Sequence, residues 1–253
     1  MPLVATPAIV LSTLRYGETS KIVRLATRDL GVQSVIAKGA LRPKCGFGAA
    51  LQVLSDGVAQ LIVKENRELH LLTAFDLQAV RAGLAADVGR YATATALAEV
   101  MIRFAPAERH PESFDVLRDG LDVLEVAPPV ALDALSLRIL WRLLSVLGFA
   151  PSLDACARDG QPLPGAGPLP FNTREGGALC AACAAQHGAT RLPERARADL
   201  AALVAAEAPL PPFDERHAAA HRRLLSRYIR FHLGEGATLP ALQFWMRRPW
   251  MAA

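Results

Sequence analysis

Along the first eighty residues, apolar and polar positions alternate in twos. Ala8–Ser12 is a short apolar run, and Lys21–Ala26 sets Ile22, Val23 and Leu25 against Lys21 and Arg24. Val32–Ala37 follows the turn signal Asp29-Leu30-Gly31. Val58–Val63 and Leu69–Thr73 form a further pair across the charged, hairpin-like stretch Lys64-Glu65-Asn66-Arg67-Glu68. Short runs bounded by turn residues, their side chains going alternately to two faces, predict strands. About five such strands in one small unit predict a barrel of either the OB or the SH3-like type, between which the pattern does not choose.

From about Leu77 the period becomes helical. Val88–Phe104 is Ala-rich with helical spacing, and 112–126 repeats Phe114, Leu117, Leu121 and Leu124. Pro128-Pro129 separates that helix from Leu132–Leu147, whose apolar stripe is interrupted by Arg138 and Arg142. Gly148 ends it and Pro151 blocks continuation. Residues 151–177, with five Pro and five Gly, read as loop, and helix resumes at Pro193–Ala206 and from about Phe213 to His232. The expected fold class is α+β and multidomain: an N-terminal barrel (1–78), a mainly helical domain (79–150 and 191–253) and a small knuckle-like insertion (151–190).

Composition narrows the class. In 253 residues, 52% are hydrophobic and 21% charged, which excludes a disordered chain. No apolar run reaches the roughly 18–20 residues that cross a bilayer, so no membrane partner is expected. Residues 1–10 lack the basic start and apolar core of a secretory signal. Four cysteines do not make a disulfide scaffold, and a reducing cytoplasm is the expected location. The net charge of +4 is uneven: 1–80 carries nine basic against six acidic residues, and 213–253 seven against three, while the middle is slightly acidic. Two basic ends suit contact with a polyanion, and equally a solvated surface.

The chemistry-bearing residues fall into four groups. Cys180-Ala-Ala-Cys183 has the gap that lets two thiolates meet one tetrahedral metal. Cys156 lies upstream, and the position that would complete a second pair is Asp159, giving Cys156-x2-Asp159 and Cys180-x2-Cys183 with one sulfur exchanged for oxygen. His187 competes as fourth ligand, and a knuckle held without metal is the alternative to zinc. Arg15, Lys21, Arg24, Arg28, Lys38, Arg42, Lys44 and Lys64 make the barrel basic, and Lys38-Gly39-Ala40-Leu41-Arg42-Pro43-Lys44 spaces three cations along one passage, each able to neutralise a phosphate. Arg223, Arg227 and Arg230 share a helix face, with Leu224, Leu225, Tyr228 and Phe231 expected toward the core. Arg138 and Arg142, one turn apart beside Trp141, suit either a partner's carboxylate or an internal acid such as Asp133. There is no nucleophile–base–orienter set and no nucleotide fingerprint, so the chain does not read as an enzyme.

Four strings carry a resemblance. Ala8-Ile9-Val10-Leu11, Tyr16-Gly17-Glu18-Thr19-Ser20-Lys21-Ile22-Val23, Thr27-Arg28-Asp29-Leu30-Gly31 and Ala37-Lys38-Gly39-Ala40-Leu41-Arg42-Pro43-Lys44 resemble the N-terminal region of the RecO family of bacterial recombination mediators. The likeness runs on through Gly176-Gly177-Ala178-Leu179-Cys180-Ala181-Ala182-Cys183 to the Arg-rich helix near Leu224-Leu225. It implies an OB-fold barrel, a helical domain and a zinc-knuckle insertion. It further implies a DNA repair and recombination role: binding single- and double-stranded DNA, annealing complementary strands, and helping load RecA onto strands covered by single-strand DNA-binding protein, with RecR as partner, in the nucleoid. By position, Lys38, Arg42 and Lys44 would belong to the DNA face, and Arg138 and Arg142 lie where the family receives the acidic C-terminal tail of the single-strand DNA-binding protein. Zinc-bearing members carry Cys where this chain has Asp159. A protein–protein adaptor with an incidental basic surface and a metal-dependent enzyme centred on Cys156, Cys180 and Cys183 are the rival readings.

Overall fold

A computed structural model describes residues 3–48, 50–64, 67–232 and 238–251. The chain divides into two compact units, Met1–Val126 with Pro249–Ala253, and Ala127–Arg248.

In the first unit, β1 (Leu3–Tyr16), β2 (Ser20–Thr27), β3 (Gly31–Ala37), β4 (Asp56–Ile62) and β5 (Leu69–Ala79) close into a barrel of order β1-β2-β3-β5-β4. Neighbours are antiparallel except β3 and β5, which run parallel. Closure in that order, β1 pairing with both β2 and β4, makes the barrel OB-type. β1 reaches both partners because its register with β2 shifts between Val10 and Ser12, a bulge that bends the strand from one neighbour to the other. Inward residues of alternating strands, among them Val10, Val23, Leu25, Val35, Leu61 and Phe75, fill the barrel, and Phe47 and Leu51 from the β3–β4 loop close it. The expected hairpin between β4 and β5 forms; residues 65 and 66 of its linker lie outside the described residues.

Gly31 shows why a turn residue was needed at the β2–β3 corner. Its φ is +73°, and a Cβ there would overlap the carbonyl oxygens of Pro106 and Glu108. Helices α1 (Ala82–Ala85), α2 (Val88–Phe104) and α3 (Pro111–Val126) follow. Asp87 caps α2 by accepting from the Arg90 N–H at 2.8 Å. Phe114, Leu117, Leu121 and Leu124 of α3 are all buried, as their spacing predicts. Buried Arg81 ties α3 to the barrel, donating to Asp122 and Asp56 (both 2.9 Å) and to the Leu54 carbonyl (3.2 Å).

In the second unit, α4 (Leu132–Val146), α6 (Glu194–Val204), α7 (Glu215–His232) and α8 (Pro240–Arg247) pack around Leu140, Trp141, Leu200, Leu225 and Tyr228. α5 (Ala181–His187) belongs to the insertion between α4 and α6. Gly148, at φ +90°, terminates α4. Segment 151–177 is more than the expected loop: β6 (Leu169–Asn172) pairs with β7 (Gly177–Ala178) and β8 (Thr190–Leu192) in a three-stranded sheet. Arg222, 4% exposed, clamps the helices, reaching Asp133 of α4 at 3.1 Å and Glu215 at 2.5 Å. Arg248 meets the same two acids at 3.0 and 3.1 Å. No helix among the described residues is long and apolar enough to cross a membrane.

Candidate functional site

Two knuckles bring the insertion's donors together. The first is the tight turn at Cys156, where Gly160 (φ +74°) donates its N–H to the Cys156 carbonyl at 2.9 Å. The second is the start of α5, where the Cys180 sulfur accepts from the Cys183 N–H at 3.4 Å. One ligand atom each from Cys156, Asp159, Cys180 and Cys183 lie within 4.8 Å of one another. A tetrahedral zinc with Zn–S of about 2.3 Å needs donors about 3.8 Å apart, so the set fits after a small contraction. His187 is exposed at the end of α5 and is not part of the cluster; Asp159 takes the fourth corner.

The electrostatics agree with that division. Asp159 Oδ2 accepts from the Cys180 and Cys183 thiols at 3.3 and 3.2 Å. Its carboxyl is held far below the usual carboxylate range, first by the Gln161 N–H and then by the three thiols. The Cys183 thiol is pushed up to about 12 by its bond to Asp159 and by burial. Burial also opposes ionisation of Cys156, but the backbone N–H groups of Cys180, Asp159 and Arg158 outweigh it and lower that thiol. Binding a divalent cation would replace the shared thiol protons with one central charge.

The barrel cations converge on one end. Lys21 pairs in register with both Arg15 and Ala37, and Leu41 donates its N–H to Thr19 at 2.8 Å. The passage carrying Lys38, Arg42 and Lys44 is thereby held beside the β1–β2 turn, with all three side chains exposed, as is Arg15. Lys44 has φ +60°, so the backbone turns sharply at the passage's last cation. Lys21 is half-buried and donates to the Leu51 carbonyl at 3.4 Å. Arg24 is also half-buried, donating to Ser34 Oγ at 3.0 Å; burial and the nearby Arg103 lower its pKa. Arg28 leaves the group entirely, forming a two-bond pair with Asp115 at 3.0 Å.

On α7, Arg223, Arg227 and Arg230 are exposed along one face. They line a hollow of about 300 Å³ with Ser226 and Met246. Leu225 and Tyr228 are buried as expected, but Leu224 is only half-buried and Phe231 is 42% exposed, with the Arg174 guanidinium 5.4 Å from its ring centroid. Arg138 is spent inside the fold, donating to the carbonyls of Ala202, Ala208 and Pro209 at 2.6–3.1 Å. Neither it nor Arg142 reaches Asp133, which Arg222 and Arg248 occupy. Arg142 is half-buried and makes no side-chain hydrogen bond or ion pair among the described residues.

An OB-type barrel joined to a helical unit with a two-knuckle insertion defines the class, and the comparisons define the family. Residues 1–80 match the family model described as recombination protein O N terminal, and residues 85–239 match recombination protein O C terminal. A "DNA repair protein RecO" of Anaeromyxobacter sp. (strain K) is 36% identical over 248 residues, covering 92% of this chain and 93% of the relative. A protein of the same name from Nocardioides sp. is 35% identical over 236 residues, covering 90% and 94%. One from Streptomyces griseus is 33% identical over 247 residues, covering 93% and 96%. The chain belongs to the RecO family.

Proposed function

We propose that this chain is a DNA repair and recombination mediator that binds single- and double-stranded DNA and anneals complementary strands. It then helps load RecA onto strands covered by single-strand DNA-binding protein, with RecR as partner, on nucleoid DNA. The observation that carries this reading is the exposed Lys38, Arg42 and Lys44 passage, held beside Arg15 at one end of an OB-type barrel in a RecO-family chain. Annealing needs no covalent chemistry. It needs cations that neutralise the phosphates of two strands while the bases stay free to search for partners. The α7 arginines offer a second cationic surface of the same kind. Arg142, with its guanidinium unspent, is the remaining candidate at the place assigned to the acidic protein tail.

Zinc is the metal that the cluster suits best. Cys156, Cys180 and Cys183 would bind through sulfur and Asp159 through one oxygen, and four protein ligands leave no position for substrate, which makes the role structural. When bound, the metal would lock the two knuckles together. Cys156, Cys180 and Cys183 must all lose their protons to bind, and Asp159, already ionised, keeps its place.

The test is strand annealing with two labelled complementary oligonucleotides, at low salt and at about 150 mM, bare and with one strand precoated by single-strand DNA-binding protein. Acceleration on bare and coated strands is the expected result. A folded sample that accelerates neither overturns the reading.

A further inference from the structure

A second hollow adjoins the α7 arginines. It is an apolar slot of about 300 Å³ between β8, α6 and α7, floored by Phe171, Leu192 and Leu224 and rimmed by Arg191, Arg195 and Arg227. No acidic residue lines it. Arg227 also lines the cationic hollow with Arg223 and Arg230, so the two hollows adjoin across one side chain. Neither Arg223 nor Arg227 makes a side-chain hydrogen bond or ion pair among the described residues.

His221 lies in the wall of this slot, 3% exposed, and neither of its ring nitrogens has a hydrogen-bond partner among the described residues. The nearest acid, Asp199, holds Oδ2 at 3.7 Å from Nε2, too far for a hydrogen bond, and the same oxygen lies 3.9 Å from Arg195 Nε. The other face of the ring packs on Phe213 at 5.0 Å between centroids. Burial lowers the His221 pKa, against the opposing charge of Asp199.

We propose that this slot takes one unstacked base of single-stranded DNA, with the adjoining phosphates on Arg227, Arg223 and Arg230. The proposal rests on the DNA-binding reading above and names the strand state that this surface selects. Three features favour a base. The slot is apolar and floored by the Phe171 ring, which suits the flat face of a base, whereas a phosphate belongs on the arginines. Its volume is at the small end of ligand pockets, suited to a single flat group. The cations repeat along α7 beyond the slot, as the anions repeat along a strand. A duplex keeps its bases stacked and paired, so it can use the arginines but not the slot.

The test compares a thymidine oligonucleotide with an abasic oligonucleotide of the same length, which has the same phosphates and no bases, by fluorescence anisotropy with the full-length protein. Ala220, exposed on α7 and lining the slot, is replaced in Ala220→Leu to fill it; Ala196→Leu fills it from α6, and thermal melting checks that each variant is folded. The expected result is a base-over-abasic preference that falls about tenfold in either folded variant, the loss of one stacked base. An unchanged preference overturns the slot while leaving DNA binding in place. No binding of either oligonucleotide by wild-type protein overturns both readings. An acidic peptide ending in an aromatic residue that binds wild type but not Ala220→Leu, with the base preference unchanged, assigns the slot to a protein and overturns the proposal.

Discussion

Asp159 supplies the only oxygen to a cluster otherwise made of sulfur, and its neighbours are set around that charge. The Gln161 N–H stabilises its carboxylate and two thiols donate to one of its oxygens. Removing it leaves three sulfurs and an open corner. Asp159→Ala is expected to weaken zinc binding at least about tenfold, and Asp159→Cys to strengthen it, measured by competition with a chromogenic chelator. Wild-type protein that takes up no zinc in that assay would leave a knuckle held by its hydrogen bonds alone. The spacing of Cys156, Asp159, Cys180 and Cys183 was readable along the chain because metal geometry limits how far apart ligands in one knuckle can be. The fates of Arg138 and Arg24 were not. Whether an arginine meets solvent, an acid or a row of carbonyls depends on what the fold places opposite it, and for Arg138 that is the end of α6, more than sixty residues away.

Among the elements, those with many repeats of one period were legible and the short ones were not. α2, α3 and α4 stand close to where their apolar spacing predicts, because each offers several turns of signal. β6, β7 and β8 have two to four residues each and exist only by pairing with one another, so no period announces them. β1 is longer than its apolar run because its bulge lets a second half, facing solvent, pair with β2. Ties between elements are open to titration. Arg28 at the end of β2 holds Asp115 of α3, and its hydrogen bond keeps that carboxyl below the usual range. A lowered carboxyl pKa adds stability above the unfolded value, near about 3.9, and that stability disappears as pH falls through the folded value. Arg28→Ala should therefore lower the urea midpoint slightly at pH 7 and by progressively less below about pH 4. A gap between wild type and variant that widens in acid would refute the assignment.

At the scale of the whole molecule, charge is the property that matters. A cationic surface that neutralises phosphates releases counterions, so affinity falls with salt at a slope set by the number of contacts. Replacing Lys38 and Arg42 together by Ala should flatten that slope for single-stranded DNA by roughly one to two units and weaken binding to all sequences alike. A slope unchanged in the double variant would move the main DNA face from the barrel to the α7 arginines. Among the described residues, Arg42 in the first unit and Arg223 and Arg227 in the second are exposed and make no ion pair.

Period, turn residues and ligand spacing are local, and they foretold much of what is local here: the barrel strands before about Leu77, the long helices after it, a glycine at the β2–β3 corner and a two-knuckle cluster whose fourth donor they left open between Asp159 and His187. The strings around Tyr16–Val23 and Ala37–Lys44 also carried the family. Tertiary structure alone decided the rest. It closed the barrel as β1-β2-β3-β5-β4 and so chose the OB type. It consumed Arg138, Arg222 and Arg28 in internal bonds while leaving Arg223 and Arg227 to solvent. It also opened an apolar slot beside the buried His221. Those outcomes depend on which groups distant in the chain come to lie within hydrogen-bonding reach, and a linear pattern of hydrophobic and charged residues carries no distance between them.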